Sequence, residues 1–187
     1  MLTKDMHKQD VETFLHGKGD FVKMDYLNRY LKTMPPIEMR KFAYLKLAEV
    51  YLGKEMYIDA AGAFKNAAVN SVSFKEKQEN FLKEGKAYIS AGKFDSSDKA
   101  ISRAMDEGNK KEKEDIYSDV LTYYRKEAEK LAKEPNKQNR LAGLYEKMLR
   151  LKFMDSEKDE FKEKLLALYE RLGKVKEYKI LKDLGRV

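Results

Sequence analysis

His7 and His16 are the only histidines of the chain, and they stand nine residues apart near its start. No second histidine stands at a helical spacing of three or four from either, and His16 reads as a solvated helix end rather than a ligand or a base. Gly17-Lys18-Gly19-Asp20 has the look of a phosphate loop but lacks the remaining glycines and the Lys-Ser/Thr pair that hold a nucleotide, and it reads as a turn. Asp155, Glu157, Asp159, Glu160 and Glu163 are hard-cation ligand types. They also sit where a helix begins, and negative charge there complements the helix dipole by about 0.3–1 kcal/mol each at most. The chain has no Cys, which removes thiolate metal sites, disulfides and a cysteine nucleophile. Most of its nine Met residues, such as Met105 and Met148, read as core filler. The expectation is a protein that is not an enzyme and has no metal and no cofactor.

Charge chemistry is better represented. The formal net charge is +7 over 187 residues, spread thinly along the chain. The exception is 125–152, where Arg125, Lys126, Lys130, Lys133, Lys137, Arg140, Lys147, Arg150 and Lys152 face only Glu127, Glu129, Glu134 and Glu146. Cations on two antiparallel helices can track phosphates, with Tyr117, Tyr123 and Tyr124 nearby, so a nucleic-acid-binding helical protein is the alternative reading. Tyr117 and Tyr124 are equally explained as core, and no nucleic-acid motif is present. No stretch approaches the roughly 20 apolar residues needed to span a bilayer. The opening Met1-Leu2-Thr3-Lys4-Asp5 is polar. A soluble cytoplasmic protein without membrane insertion is expected.

These side chains must be carried by helices. Lys, Glu, Leu and Ala are abundant, Pro occurs three times, and no window alternates apolar and polar residues as a half-buried strand would. Gly85, Tyr88, Gly92, Ser97, Ile101 and Ala104 repeat the spacing of Ala48, Tyr51, Glu55, Ala60, Phe64 and Ala67 at a shift of 37 residues. Such a period marks stacked pairs of helices. The first pair is predicted over about 36–71 and the second from Ser73, whose hydroxyl can cap a helix while Glu76 returns the bond. Gly108 and Asn109 are expected to end it. A longer third pair is predicted from Lys111, with Tyr117, Val120, Leu121 and Tyr124 as its buried stripe. Pro135 closes its first helix, and Asn136 caps the second. The last pair opens at Ser156-x-x-Asp159 and ends with a helix over Glu177–Leu184. Two helices near 10–16 and 20–33 form residues 1–35, a cap or degenerate repeat ahead of a continuous array over 36–187.

Tyr44, Leu47-Ala48, Tyr51, Ala60, Phe64 and Ala67 resemble the tetratricopeptide repeat (TPR). Phe81, Gly85, Tyr88, Gly92, Ile101 and Ala104 resemble it again, with Ser97 in place of an Ala, and the stretch from Leu165 to Gly173 matches its first helix and turn. The third pair lacks the turn glycine, and the longer pairs are also similar to soluble NSF attachment proteins. The resemblance implies an all-α, α-α superhelix (a TPR-like solenoid) of stacked antiparallel helix pairs, whose first helices line a concave face. On that face it leaves Lys46, Glu49, Leu52, Lys83, Lys86, Ile89, Arg125 and Lys126, a mixed but mostly cationic surface with apolar residues between charges. It suits a partner peptide or helix with acidic groups and an apolar anchor. The implied function is a non-enzymatic protein–protein interaction scaffold or adaptor. The carboxylate clamp of co-chaperone relatives is disfavoured, because Leu45 and Glu49 stand at its first positions. Self-association through uncovered terminal helices is a further expectation.

Overall fold

Capping and turn chemistry set the helix boundaries. The structure, a computed structural model, describes residues 2–3, 5–106 and 108–183, which form ten α-helices and no strand. They are α1 (Lys8–Leu15), α2 (Asp20–Lys32), α3 (Ile37–Gly53), α4 (Tyr57–Val69) and α5 (Phe74–Ser90), followed by α6 (Phe94–Met105), α7 (Lys110–Ala132), α8 (Gln138–Leu149), α9 (Asp155–Arg171) and α10 (Val175–Asp183). Ser73 caps α5 by accepting the Glu76 N–H at 3.3 Å. Asn109, expected to end α6, instead starts α7. Its side chain accepts the Glu112 N–H at 3.0 Å and Glu112 accepts the Asn109 N–H at 2.8 Å, a reciprocal pair that satisfies two otherwise orphaned donors. α9 begins one residue before Ser156, with Glu157 accepting the Met154 N–H. A short 3-10 turn over Pro135–Lys137 stands where Asn136 was expected to cap α8. The predicted end of α10 at Leu184 lies outside the described residues.

The 37-residue repeat is written into the turns. Glu55, Gly92 and Gly173 follow α3, α5 and α9 with φ of 57°, 70° and 68°. In each case the next N–H reaches back five residues: Met56 to the Tyr51 carbonyl, Lys93 to Tyr88 and Lys174 to Tyr169, at 2.9, 2.9 and 2.8 Å. Glu55, Gly92 and Gly173 themselves donate to the carbonyls of Leu52, Ile89 and Glu170. This is the Schellman ending of a helix, in which a left-handed residue lets two orphan carbonyls be used. Two of the three sites carry the glycine that such a φ favours.

The chain divides into two units, residues 1–116 and 117–187, and the boundary falls inside α7. In the first unit α2 packs on α3, and α3, α4, α5 and α6 pack each on the next. Ala48, Ala60, Ala61, Ala67, Ala68 and Ala104 are fully buried, so neighbouring helices come close. A Cβ on Gly85 would lie 2.7 Å from Cγ1 of Ile101, a separation that only glycine permits between α5 and α6. Val11, Leu15, Leu27 and Tyr30 share one core with Leu47, Ala48 and Phe64, so the helices of 1–35 are packed into this unit. In the second unit α8 packs on α9 and α9 on α10. Phe161 of α9 stacks on Tyr145 at 5.9 Å and meets Phe153 edge-on at 5.1 Å. Val120, Tyr124, Ala128 and Leu131 form the buried face of α7, whereas Tyr117 and Leu121 are only half-buried. The Tyr117 hydroxyl accepts the Lys152 N–H at 3.0 Å.

Candidate functional site

Six of the eight expected contact residues lie in the first unit, on α3 and α5. Lys46 is held between Glu12 and Glu49, at 2.9 and 3.3 Å. The bond to Glu12 lifts its pKa above the ordinary lysine value; burial opposes that shift, and Glu49 adds to it. Lys46 and Glu49 line a small pocket of about 260 Å³ with Glu12, His16 and Lys23, floored by Leu15, Leu27 and Val50. Leu52 is 37% exposed, Lys83 is exposed and Lys86 half-buried. Ile89 is corrected: at 1% exposure it belongs to the core and presents nothing to a partner. The reason is that α5 packs between α4 and α6 and buries a wide arc that includes Phe81, Gly85, Ala87 and Ile89.

The arc also buries Glu84, whose polar side chain no helical pattern placed inside. Arg103 of α6 donates to one of its oxygens at 2.9 Å, and the other has no hydrogen-bond partner. Burial pushes the Glu84 carboxyl above its ordinary pKa, and the charge and hydrogen bond of Arg103 only partly offset it. Arg103 also lies over the Phe81 ring at 4.7 Å. Lys41 of α3 is likewise buried, bonded to Glu76 at 2.9 Å and Glu38 at 3.0 Å. Burial alone would lower its pKa, but the two carboxylates outweigh it and the net shift is upward. These pairs tie helices together.

Arg125 and Lys126 stand on α7 in the second unit. Lys126 is exposed. Arg125 donates to Glu157 of α9 at 2.8 Å and rests over the Phe153 ring at 4.9 Å. Arg125 also marks one end of a groove of about 480 Å³ between α7 and α9. Its floor is apolar: Ala128 and Ala132 from α7, Leu141, Tyr145 and Met148 from α8, and Phe161, Ala167 and Leu168 from α9. Arg171 bonded to Gln138 marks the other end, and Glu160 bonded to Lys164 lies between. From Glu157 to Arg171 the groove follows α9 for about 21 Å at 1.5 Å per residue. Burial raises the pKa of Tyr145 at its floor.

An apolar trough with polar ends suits the apolar face of a peptide or helix. Among the described residues no group of three or more His, Cys, Asp or Glu side chains could hold a metal ion, and no helix is long and apolar enough to cross a membrane. Of the basic stretch 125–152, Arg125, Lys137 and Arg140 are bonded to Glu157, Glu134 and Glu127. Sequence reasoning reached Arg125 but missed the trough beside it. Its alanines look like ordinary helix formers, and only the spacing between α7 and α9 opens the space.

The fold and this site define an all-α protein of sequence-adjacent antiparallel helix pairs with an apolar groove. No family model matches the chain, and no curated protein or solved structure matches it significantly.

Proposed function

We propose that the protein is a non-enzymatic interaction scaffold of TPR-like helix pairs that docks a partner segment in the groove between α7 and α9. The observation that carries this reading is the apolar floor of a groove about 480 Å³ in volume. Ala132 and Ala167 are both exposed within it, so part of that floor is open to solvent. The segment that fits is an amphipathic helix of about four turns, with its apolar face on Tyr145 and Phe161. An acidic group at one end meets the exposed Lys126 beside the Arg125–Glu157 pair, and such charges tune association rate and specificity more than affinity. The Schellman turns and the buried small residues at a 37-residue period support the TPR-like part of the reading. A nucleic-acid reading has less to stand on, because three cations of 125–152 are already bonded to carboxylates.

The test is to fill the groove without touching the core. Ala132→Trp and Ala167→Trp are expected to leave the thermal melt within a few degrees of wild type and to abolish capture of a discrete protein from native lysate. Capture that persists in both variants refutes the groove, and bound material that vanishes with nuclease favours nucleic acid instead.

A further inference from the structure

Gly62 is at the middle of α4, and nothing among the described residues accounts for it. Gly85 is needed because Ile101 leaves no room for a Cβ, but a Cβ on Gly62 would meet nothing within 4 Å. Glycine is the least favourable residue for a helix interior after proline, so an unneeded one points to a neighbour that approaches the backbone from outside. Around Gly62 lies the exposed face of α4. It bears Ile58, 54% exposed, and Val69, 63% exposed, with Asp59, Lys65 and Asn66 also exposed. Ala60, Ala61, Ala63, Phe64, Ala67 and Ala68 fill the opposite, buried arc.

The charges on this face are symmetric about the glycine. Asp59 lies three residues before Gly62 and Lys65 three residues after it; neither makes an ion pair among the described residues, although the Lys65 charge reaches Glu84 of α5. If two α4 helices cross antiparallel at Gly62, a two-fold axis brings each Asp59 to the level of the other copy's Lys65. The same operation brings Ile58 level with Asn66 of the other copy, with Val69 of that copy about one turn further along. A face that complements itself in this way is what an isologous two-fold interface requires. We infer that the outer face of α4 is a self-association surface, on which a second copy of this chain docks antiparallel with the two helices crossing at Gly62. The surface is separate from the groove of the second unit and does not depend on that reading.

Sedimentation equilibrium of the full chain tests the inference, because charge reversal has a signature peculiar to two-fold pairing. Wild type is expected to shift with concentration from 21.9 kDa to twice that mass. Asp59→Lys alone, or Lys65→Asp alone, places like charges at both contacts and is expected to raise the dimer Kd by about tenfold or more. The double variant Asp59→Lys/Lys65→Asp restores both pairs and is expected to return the Kd to near the wild-type value. Ile58→Asp provides a check that leaves the Asp59 and Lys65 positions unchanged and is expected to give a monomer. All three positions changed are exposed on one helix, and a melt of each variant confirms that it is folded. A wild-type monomer at concentrations up to about 1 mM, the weak end of specific association, overturns the inference. So does a dimer that ignores both single reversals, which would assign self-association to another face.

Discussion

Glycine and glutamate sit next to each other at residues 84 and 85, and both are decided by the same neighbouring helix. Gly85 faces Ile101 so closely that Gly85→Ala is expected to cost about 1–3 kcal/mol, the usual range for overpacking. Urea denaturation measures this directly, and the cost should shrink in an Ile101→Ala background, where the obstructing atoms are gone. Glu84 carries the opposite problem, a charge taken out of water with one oxygen unpartnered. Its folded pKa is raised above the ordinary 4.5 by burial, so ionisation opposes folding. That penalty is absent below the unfolded pKa, grows as pH rises towards the folded value, and is complete above it. The melting temperature of Glu84→Gln relative to wild type is therefore expected to become more favourable as pH rises from about 4 towards neutrality. A difference that is flat across that range would mean that Arg103 fully compensates the buried charge. Sequence alone identified Gly85, because a small residue recurs at the equivalent of Ala48. It misplaced Ile89 and overlooked Glu84, because residue type does not reveal how wide an arc of α5 its neighbours cover.

At the scale of elements, the helix endings carried the repeat most legibly. Glu55, Gly92 and Gly173 adopt one backbone geometry at one position of their pairs, and the sequence spacing already aligned the first two. Gly92→Ala is expected to destabilise by about 1–2 kcal/mol, since a Cβ is disfavoured in the left-handed conformation. Gly53→Ala should do the reverse, gaining up to about 1 kcal/mol, because that residue is helical and its Cβ would meet nothing. At about 2–4 °C per kcal/mol for a chain of this size, thermal melts separate the two signs. The third pair was the hardest to read. Its helices are joined through Pro135 and a 3-10 turn, with no residue of positive φ there among the described residues, so the glycine that marks the other turns is missing. Asn109 was misread for a related reason: an Asn after a Gly suits a helix end and a helix start alike, and only the returning Glu112 carboxylate decides between them.

For the whole molecule, the all-helical class follows from composition and period, but the arrangement of charge does not. The net charge of +7 suggested a cationic face, yet Lys46, Arg103, Arg125 and Arg140 are each bonded to a carboxylate of another helix. The carboxylates lie far away in sequence, at separations such as the 32 residues between Arg125 and Glu157, so no local pattern discloses the pairing. The surface on offer is consequently less cationic than the sequence implies, and the apolar trough of the second unit becomes its most distinctive feature. The central claim is that a partner protein occupies this trough. It is tested most directly by placing the photocrosslinker p-benzoylphenylalanine at Ala167, inside the groove, and separately at Glu170, exposed on α9 outside it. Irradiation in native lysate is expected to attach one discrete protein at position 167 and not at 170, with or without nuclease. Crosslinks of equal yield at both positions, or none at 167, would contradict the account.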